Sequence, residues 1–427
     1  MKQKKASQIV LWLLLVSTVL LVLSYFNIVD KPFALPPDPE QLIQIETDGM
    51  STDQVESSDN PTGSEVDILP SDNEEIVPSE VQATDSDEID DSDTTGALKE
   101  LVFTNINPDD ITTDGTKLRV WPEESSVPQA RDPNAPVLAQ PNSDKPLAGA
   151  FVILDPGHGG SDIGVSWQGE EENDVLLEKN INLEIATKIQ EELTRQGADV
   201  RMTRSTDEKH SYFYIMAYTA DLLLQRYAND IKEIGFDPEP LENLRLLMQD
   251  VIRINSGLQD SGGRGIFDSI GTPPNLKLIY DIESEYKDTV FISIHLETSD
   301  QAEDKGVRVR YMSKEYAQDM NNSYAAGTDA LKHSPNYNRY NSKRRESMAQ
   351  LLADNLVATD SRMKTNLQPV IEDDLAVLRL NNVTSAQLTC GFLSNEEDRA
   401  RVTSSEGQAL IARGVATALL RYYTGDY

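Results

Sequence analysis

Residues 150–160 read AFVILDPGHGG. Five apolar residues run without a polar break and stop at Asp155, after which Pro156, Gly157, Gly159 and Gly160 surround His158. Such a run suits a strand covered on both faces, as in a parallel sheet, better than a strand with one wet face. The Gly-rich stretch behind it is a tight loop whose backbone can approach an ion closely. Downstream, EKNINLEIATKIQEELTRQ (178–196) puts Ile181, Ile185, Ile189 and Leu193 on one helical face, and Gly197 ends the pattern. Strand, loop and helix in that order open a parallel crossover unit.

The texture continues to the C-terminus. ADVRMTR (198–204), VFISIH (290–295), VRVRYM (307–312), AVLRL (376–380) and AQLT (386–389) read as strands, while 342–357 and 406–423 carry helical periodicity. Alternating strands and helices predict an α/β domain over 148–427, built on a mainly parallel sheet flanked by helices. One interval, about 207–288, is longer than a crossover needs. It holds helical patterns at 212–231 and 241–254 followed by SGLQDSGGRG, and is expected to be a helical insertion at one edge.

The first 147 residues differ in kind. The formal charge of the chain is −34, and residues 30–147 alone carry 28 acidic against 6 basic side chains. That field repels polyphosphate, so nucleic acid is excluded as a partner. Residues 30 to about 95 lack any sustained apolar period and are expected to form a disordered acidic tether within a linker that runs to 147. Ile9 to Ile28 is uncharged and long enough to cross a bilayer as a helix. The basic MKQKK before it places residues 1–8 in the cytoplasm, and no small-x-small cleavage site follows. The expectation is an uncleaved single-pass anchor at 9–28, with the domain outside the cell membrane and facing the wall. One cysteine, Cys390, forms no internal disulfide and gives no clue to compartment.

Four histidines occur, and two of them, His158 and His295, close apolar strands, where open α/β sheets form their binding crevices. Glu178 opens the helix after the first loop and so stands on the same rim. Two imidazoles and a carboxylate with an open fourth position form a catalytic zinc set. A glutamate also suits a helix N-terminus for electrostatic reasons alone, and the residues by themselves leave the two readings balanced. His210 and His333 sit among polar residues and are expected to face solvent.

LDPGHGGSDIGV, then LLEKNINLEIATKIQEELTRQGADVRMTR, FISIHLE, LQPVIEDDLAVLR and LTCGFLSNEEDRARV, in this order, resemble the zinc-dependent N-acetylmuramoyl-L-alanine amidases of the type 3 catalytic domain. The resemblance covers Ala148 to about Tyr423. It implies a twisted sheet flanked by helices and hydrolysis of the amide between N-acetylmuramic acid and L-alanine in peptidoglycan. It also implies Zn2+ held by His158, Glu178 and His295, with Asp155 orienting the loop or His158.

The chain departs from that pattern at one position. Two residues ahead of the Gly of GFLSN the family carries a glutamate that acts as general base, and here Thr389 stands there. A hydroxyl cannot take a proton from water near neutral pH, and losing a positioned base removes a factor of about 10² to 10⁴. Thr389→Glu is therefore expected to raise cleavage. Glu297, two residues past His295, is a candidate substitute, set against the plainer reading of an exposed loop glutamate. Cys390 is expected to pack inward as a small hydrophobe. Two functions follow: a membrane-anchored wall hydrolase, or an inactive amidase-like module that binds peptidoglycan or a division or sporulation partner. In either case 207–288 is the expected place for a regulatory protein.

Overall fold

The computed structural model describes residues 98–103, 125–138, 141, 143–171, 173–256, 274–324 and 339–425. The expected anchor at 9–28, the acidic tether from 30 to about 95 and His333 lie outside the described residues. Among the described residues, no helix is long and apolar enough to cross a membrane.

Strand β1 (Phe151–Pro156) is followed by a small hairpin of β2 (Ser166–Gln168) and β3 (Val175–Leu177), helix α1 (Glu178–Arg195) and β4 (Asp199–Met202). Helices α2 (Tyr212–Glu233), α3 (Glu239–Asn255) and α4 (Pro274–Glu283) then lead to β5 (Thr289–Glu297), β6 (Arg308–Tyr311), α5 (Lys314–Tyr324) and α6 (Ser342–Thr359). The chain closes with β7 (Val370–Glu372), α7 (Ala376–Arg379), β8 (Thr384–Phe392), α8 (Glu396–Val402) and α9 (Ser405–Thr424). Six strands form one sheet in the order β4-β1-β5-β8-β6-β7. Every pairing is parallel except β6 with β8. The sheet is thus mixed and mostly parallel.

Both faces are covered, which explains the unbroken apolar runs. Val152 and Leu154 of β1 join one core with Ile185 and Ile189 of α1, whereas Phe151 and Ile153 join the other with Leu224 and Tyr227 of α2. Each fully buried aliphatic side chain contributes about 1.5–3 kcal/mol. On β8 the alternation separates functions. Ala386, Leu388 and Cys390 enter the first core, so Ser385, Gln387 and Thr389 point to the opposite face.

The structure departs from the sequence reading in three places. AVLRL is a short helix, α7, and not a strand: only its Leu378 is fully buried, and short apolar runs do not distinguish the two. The β2–β3 hairpin and β7, each strand three residues long, carried no pattern long enough to read. Finally, parts of the expected linker pack on the domain. Leu101 and Val127 are buried in the second core, and the Tyr227 hydroxyl donates to the Pro128 carbonyl at 2.7 Å. Ser126 is fully buried, and its N–H and hydroxyl donate to Asp281 at 2.7 and 2.5 Å.

Candidate active site

The C-terminal ends of β1, β5 and β8 form one rim, and the loop after β1 is shaped to let the other two meet. His158 has a left-handed backbone, with φ of 65°. The buried Arg204 guanidinium holds that loop by donating to the carbonyls of Pro156, Gly157 and Lys179 at 2.8–3.0 Å. A Cβ at Gly157 would lie 2.1 Å from the His295 ring, so only glycine lets the two imidazoles come to a centroid separation of 5.0 Å. At Gly164, also at positive φ, a Cβ would stand 2.4 Å from the Glu178 carboxylate.

Glu178, the first residue of α1, is 1% exposed and sits between the histidines. One oxygen lies 3.2 Å from His158 Nε2 and accepts the Val165 N–H at 2.8 Å. The other lies 3.1 Å from His295 Nδ1 and accepts from the Leu296 N–H and from Asn182 at 2.9 and 3.1 Å. Burial alone would raise its pKa, but the two imidazoles outweigh burial and hold the carboxyl well below the usual range. Burial likewise disfavours the His158 imidazolium, yet Glu178 and Asp162 raise its pKa to about 8. Neither Lys nor Arg touches Glu178 in any described ion pair; its two charged partners are histidines.

Ligand atoms of His158, Glu178 and His295 all fall within 4.8 Å of one another. A buried carboxylate facing two imidazoles is a donor set that fits a zinc ion. Asp162 lies 2.9 Å from His158 Nδ1, which directs the Nε2 lone pair toward Glu178 when Nδ1 carries the proton.

Beside this cluster stands a second one, on the same cavity of about 360 Å³. The β5–β8 register pairs His295 with Thr389 and then, past an extra residue on β8, Glu297 with Phe392. The Thr389 hydroxyl donates to Glu297 at 3.0 Å and accepts from Arg310 at 3.0 Å. Arg310 also pairs directly with Glu297, and Arg308 reaches the other carboxylate oxygen at 2.9 Å. The arrangement can hold a metal on one wall and a carboxylate on the next.

A sequence model of the N-acetylmuramoyl-L-alanine amidase family matches residues 152–232 and 256–421, more than half of the chain. The chain belongs to that family. The probable cell wall amidase LytH of Staphylococcus epidermidis is 46% identical over 66 residues, 16% of this chain and 22% of that protein. LytH of Staphylococcus aureus is 41% identical over 75 residues, 17% of this chain and 25% of that protein. The chain therefore aligns with a quarter or less of the length of these relatives. Among solved structures, the N-acetylmuramoyl-L-alanine amidase of Clostridium difficile 630 is similar at 18% identity, covering 65% of this chain and 98% of that one, with a TM-score of 0.39. Within the interval 207–288, the amidase-family match includes all but the last residue of α2 and the whole of α4, and its gap, 233–255, holds α3.

The structure brings together five of the six residues singled out in the amidase pattern, and it relocates the sixth. Asp155 does not touch His158. It accepts from Thr203 and Ser293 at 2.7 Å each, and the Ser293 hydroxyl lies 3.2 Å from His295 Nε2. The residue against His158 is Asp162, four positions on and inside the same quoted motif. Glu297 is no loop glutamate but the last residue of β5. Arg308 and Arg310 join the site as well, and their signal in the sequence is their spacing, since two arginines two apart in VRVRYM point to one face of a strand. His210 is not solvent-facing either: its ring stacks on Tyr214 at 3.7 Å, its side chain is 6% exposed, and burial lowers its pKa. Cys390 is fully buried in the first core, and burial pushes its thiol up to about 12, which rules it out as a ready nucleophile.

Proposed function

We propose that this amidase hydrolyses the amide joining N-acetylmuramic acid to L-alanine in peptidoglycan, anchored in the cell membrane by residues 9–28 with its domain facing the wall. The observation that carries this reading is the buried Glu178 carboxylate between His158 and His295, with a second carboxylate, Glu297, two residues further along β5 and on the same cavity. His158 Nε2, Glu178 and His295 Nδ1 would hold zinc. Bound there, zinc polarises the scissile carbonyl and lowers the pKa of water.

Glu297 is the general base of this reading. It takes a proton from the attacking water as the carbon–oxygen bond forms. It returns that proton to the nitrogen of L-alanine as the carbon–nitrogen bond breaks, leaving a muramic acid carboxylate and a free amino terminus. Asp162 and Ser293 fix the two imidazoles from behind. The alternative of an inactive binding module rests on Thr389, and the Glu297 carboxylate 3.0 Å from that hydroxyl supports the hydrolase reading instead.

The test is digestion of purified peptidoglycan by the full chain in detergent, with mass spectrometry of the products. Stem peptides with free L-alanine amino termini, about one zinc per chain and a loss of about 10² to 10⁴ in Glu297→Gln are expected. Undigested peptidoglycan with zinc bound would overturn the reading. For a regulatory partner, α3 is the surface on offer, because it lies outside the family match and exposes Leu246 and Ile254. Changing both to Glu should leave digestion of purified peptidoglycan intact and alter wall cleavage only in cells; unchanged behaviour in cells would remove α3 from consideration.

A further inference from the structure

We infer that Arg310 is a positioning residue that lets β5 supply the base carboxylate, with Thr389 as its relay and Asp373 as its counter-charge. The inference rests on the proposed hydrolysis and extends it to residues outside the metal set. Arg310 spans three strands. Its Nη1 donates to Thr389 at 3.0 Å and lies 3.4 Å from the Gln387 side-chain oxygen on β8, it pairs with Glu297 on β5, and its Nε donates to Asp373, just past β7, at 3.1 Å. Thr389, fully buried, uses both capacities of one hydroxyl: its proton goes to Glu297 and its lone pair takes the Arg310 N–H. A hydroxyl is the smallest side chain that can do both. An ionised carboxylate at 389 could only accept, so it could take the Arg310 N–H but would have no proton to give to Glu297.

Thr389 is thus the complement of Glu297 rather than a vacancy. The carboxylate has moved across the strand pair, and the guanidinium on β6 holds it at the cavity. Arg308 adds a second contact from the same face of β6, but it reaches the far oxygen and does not touch Thr389. Removing Arg310 therefore frees the oxygen that shares the hydroxyl, and an error of about 1 Å in a catalytic group costs on the order of 10²-fold.

The experiment uses the full chain in detergent with a defined muramoyl-peptide fragment, and reads kcat, KM, zinc content and melting temperature. Arg310→Gln and Thr389→Val should each lower kcat by roughly 10- to 100-fold at unchanged KM and zinc content. Thr389→Ser should stay close to wild type, since the hydroxyl survives; a purely steric role for Thr389 would favour Val instead. Contrary to the rise expected from the sequence, Thr389→Glu alone should lower kcat, whereas Thr389→Glu combined with Glu297→Gln should recover at least about tenfold over Glu297→Gln alone, because one carboxylate is again beside Arg310. A wild-type chain that loads zinc yet leaves the fragment intact would sink the proposed hydrolysis itself. If wild type cleaves and Glu297→Gln fails, while Arg310→Gln and Thr389→Val keep full kcat, only the positioning role is overturned.

Discussion

The two ends of the sheet both bury acids, and they treat them in opposite ways. At the C-terminal rim, Glu178 is kept ionised by two imidazoles and backbone N–H groups, with the cavity on its open side. At the opposite end two buried acids, Asp288 and Asp281, are answered by cationic side chains of the protein itself. Asp288 pairs with Arg131 and Arg226 at 2.5 Å each, and Asp281 pairs with the fully buried Lys277 at 2.6 Å while accepting from Ser126. Charge at the rim faces the cavity, and charge at the base ties the segment before the domain to α4 and to the start of β5. The difference separates chemistry from construction in residues of the same type.

The largest effect should come from breaking the rim. His158→Ala removes one of three donors, and zinc content should fall from about one per chain to near zero, with activity lost by at least the roughly 10⁴ expected for a missing catalytic group. Atomic absorption and the digestion assay check this together. Melting temperature should move little, because alanine keeps the Cβ and the left-handed φ of 65° at this position and so leaves the backbone strain as it was. Retained zinc would show that the rim is not the metal site.

Breaking the base should do the reverse. Asp281→Ala leaves Lys277 charged and buried without its carboxylate, and removing one partner of such a pair costs about 3–5 kcal/mol. Denaturant unfolding should show that loss, while the surviving folded fraction keeps its zinc and its kcat. Loss of kcat per zinc-loaded molecule would join the two ends and dissolve the distinction. A finer cut lies at Asp162, behind His158. Asp162→Asn should weaken zinc binding by about 10- to 100-fold, as loss of such an orienting partner does, and leave stability without zinc nearly unchanged. Competition with a chelator measures it.

Much of the rim was legible because its signals are local. AFVIL and VFISIH mark strands covered on both faces, and each histidine follows directly from the strand that ends there. Glu178 was legible as the first residue of a helix with clear periodicity. What escaped were contacts made across strands. Arg310 meets Glu297 only because β6 runs antiparallel to β8 and lies beside it, a neighbour relation that no local period encodes. Thr389 shows the cost. Judged in its own strand it is a missing base; judged with the carboxylate that β5 brings to it, it is a relay. The base of the sheet was less legible still. Ser126 sits in a Pro-rich stretch that composition assigns to a linker, and its fixed place depends on Asp281, 155 residues away in sequence.

The smallest effect separates the two ends by pH. Glu283, fully enclosed near the base, accepts the Asn382 N–H at 2.6 Å, yet burial outweighs that bond and the distant Arg345 charge and raises its pKa to about 8. An ordinary glutamate titrates near 4.3, so between about 4.3 and 8 the native state holds a proton that the unfolded chain has released. Stability from this group is therefore present at low pH and declines as pH rises, by up to about 1.4 kcal/mol per pH unit across that window. Glu283→Gln, which stays neutral in both states, should flatten that part of the profile and make the protein more stable than wild type at pH 8, with kcat unaltered. Urea unfolding at pH 5.5 and 8 reads both slopes. Identical slopes in the two proteins would mean that Glu283 is ionised in the fold.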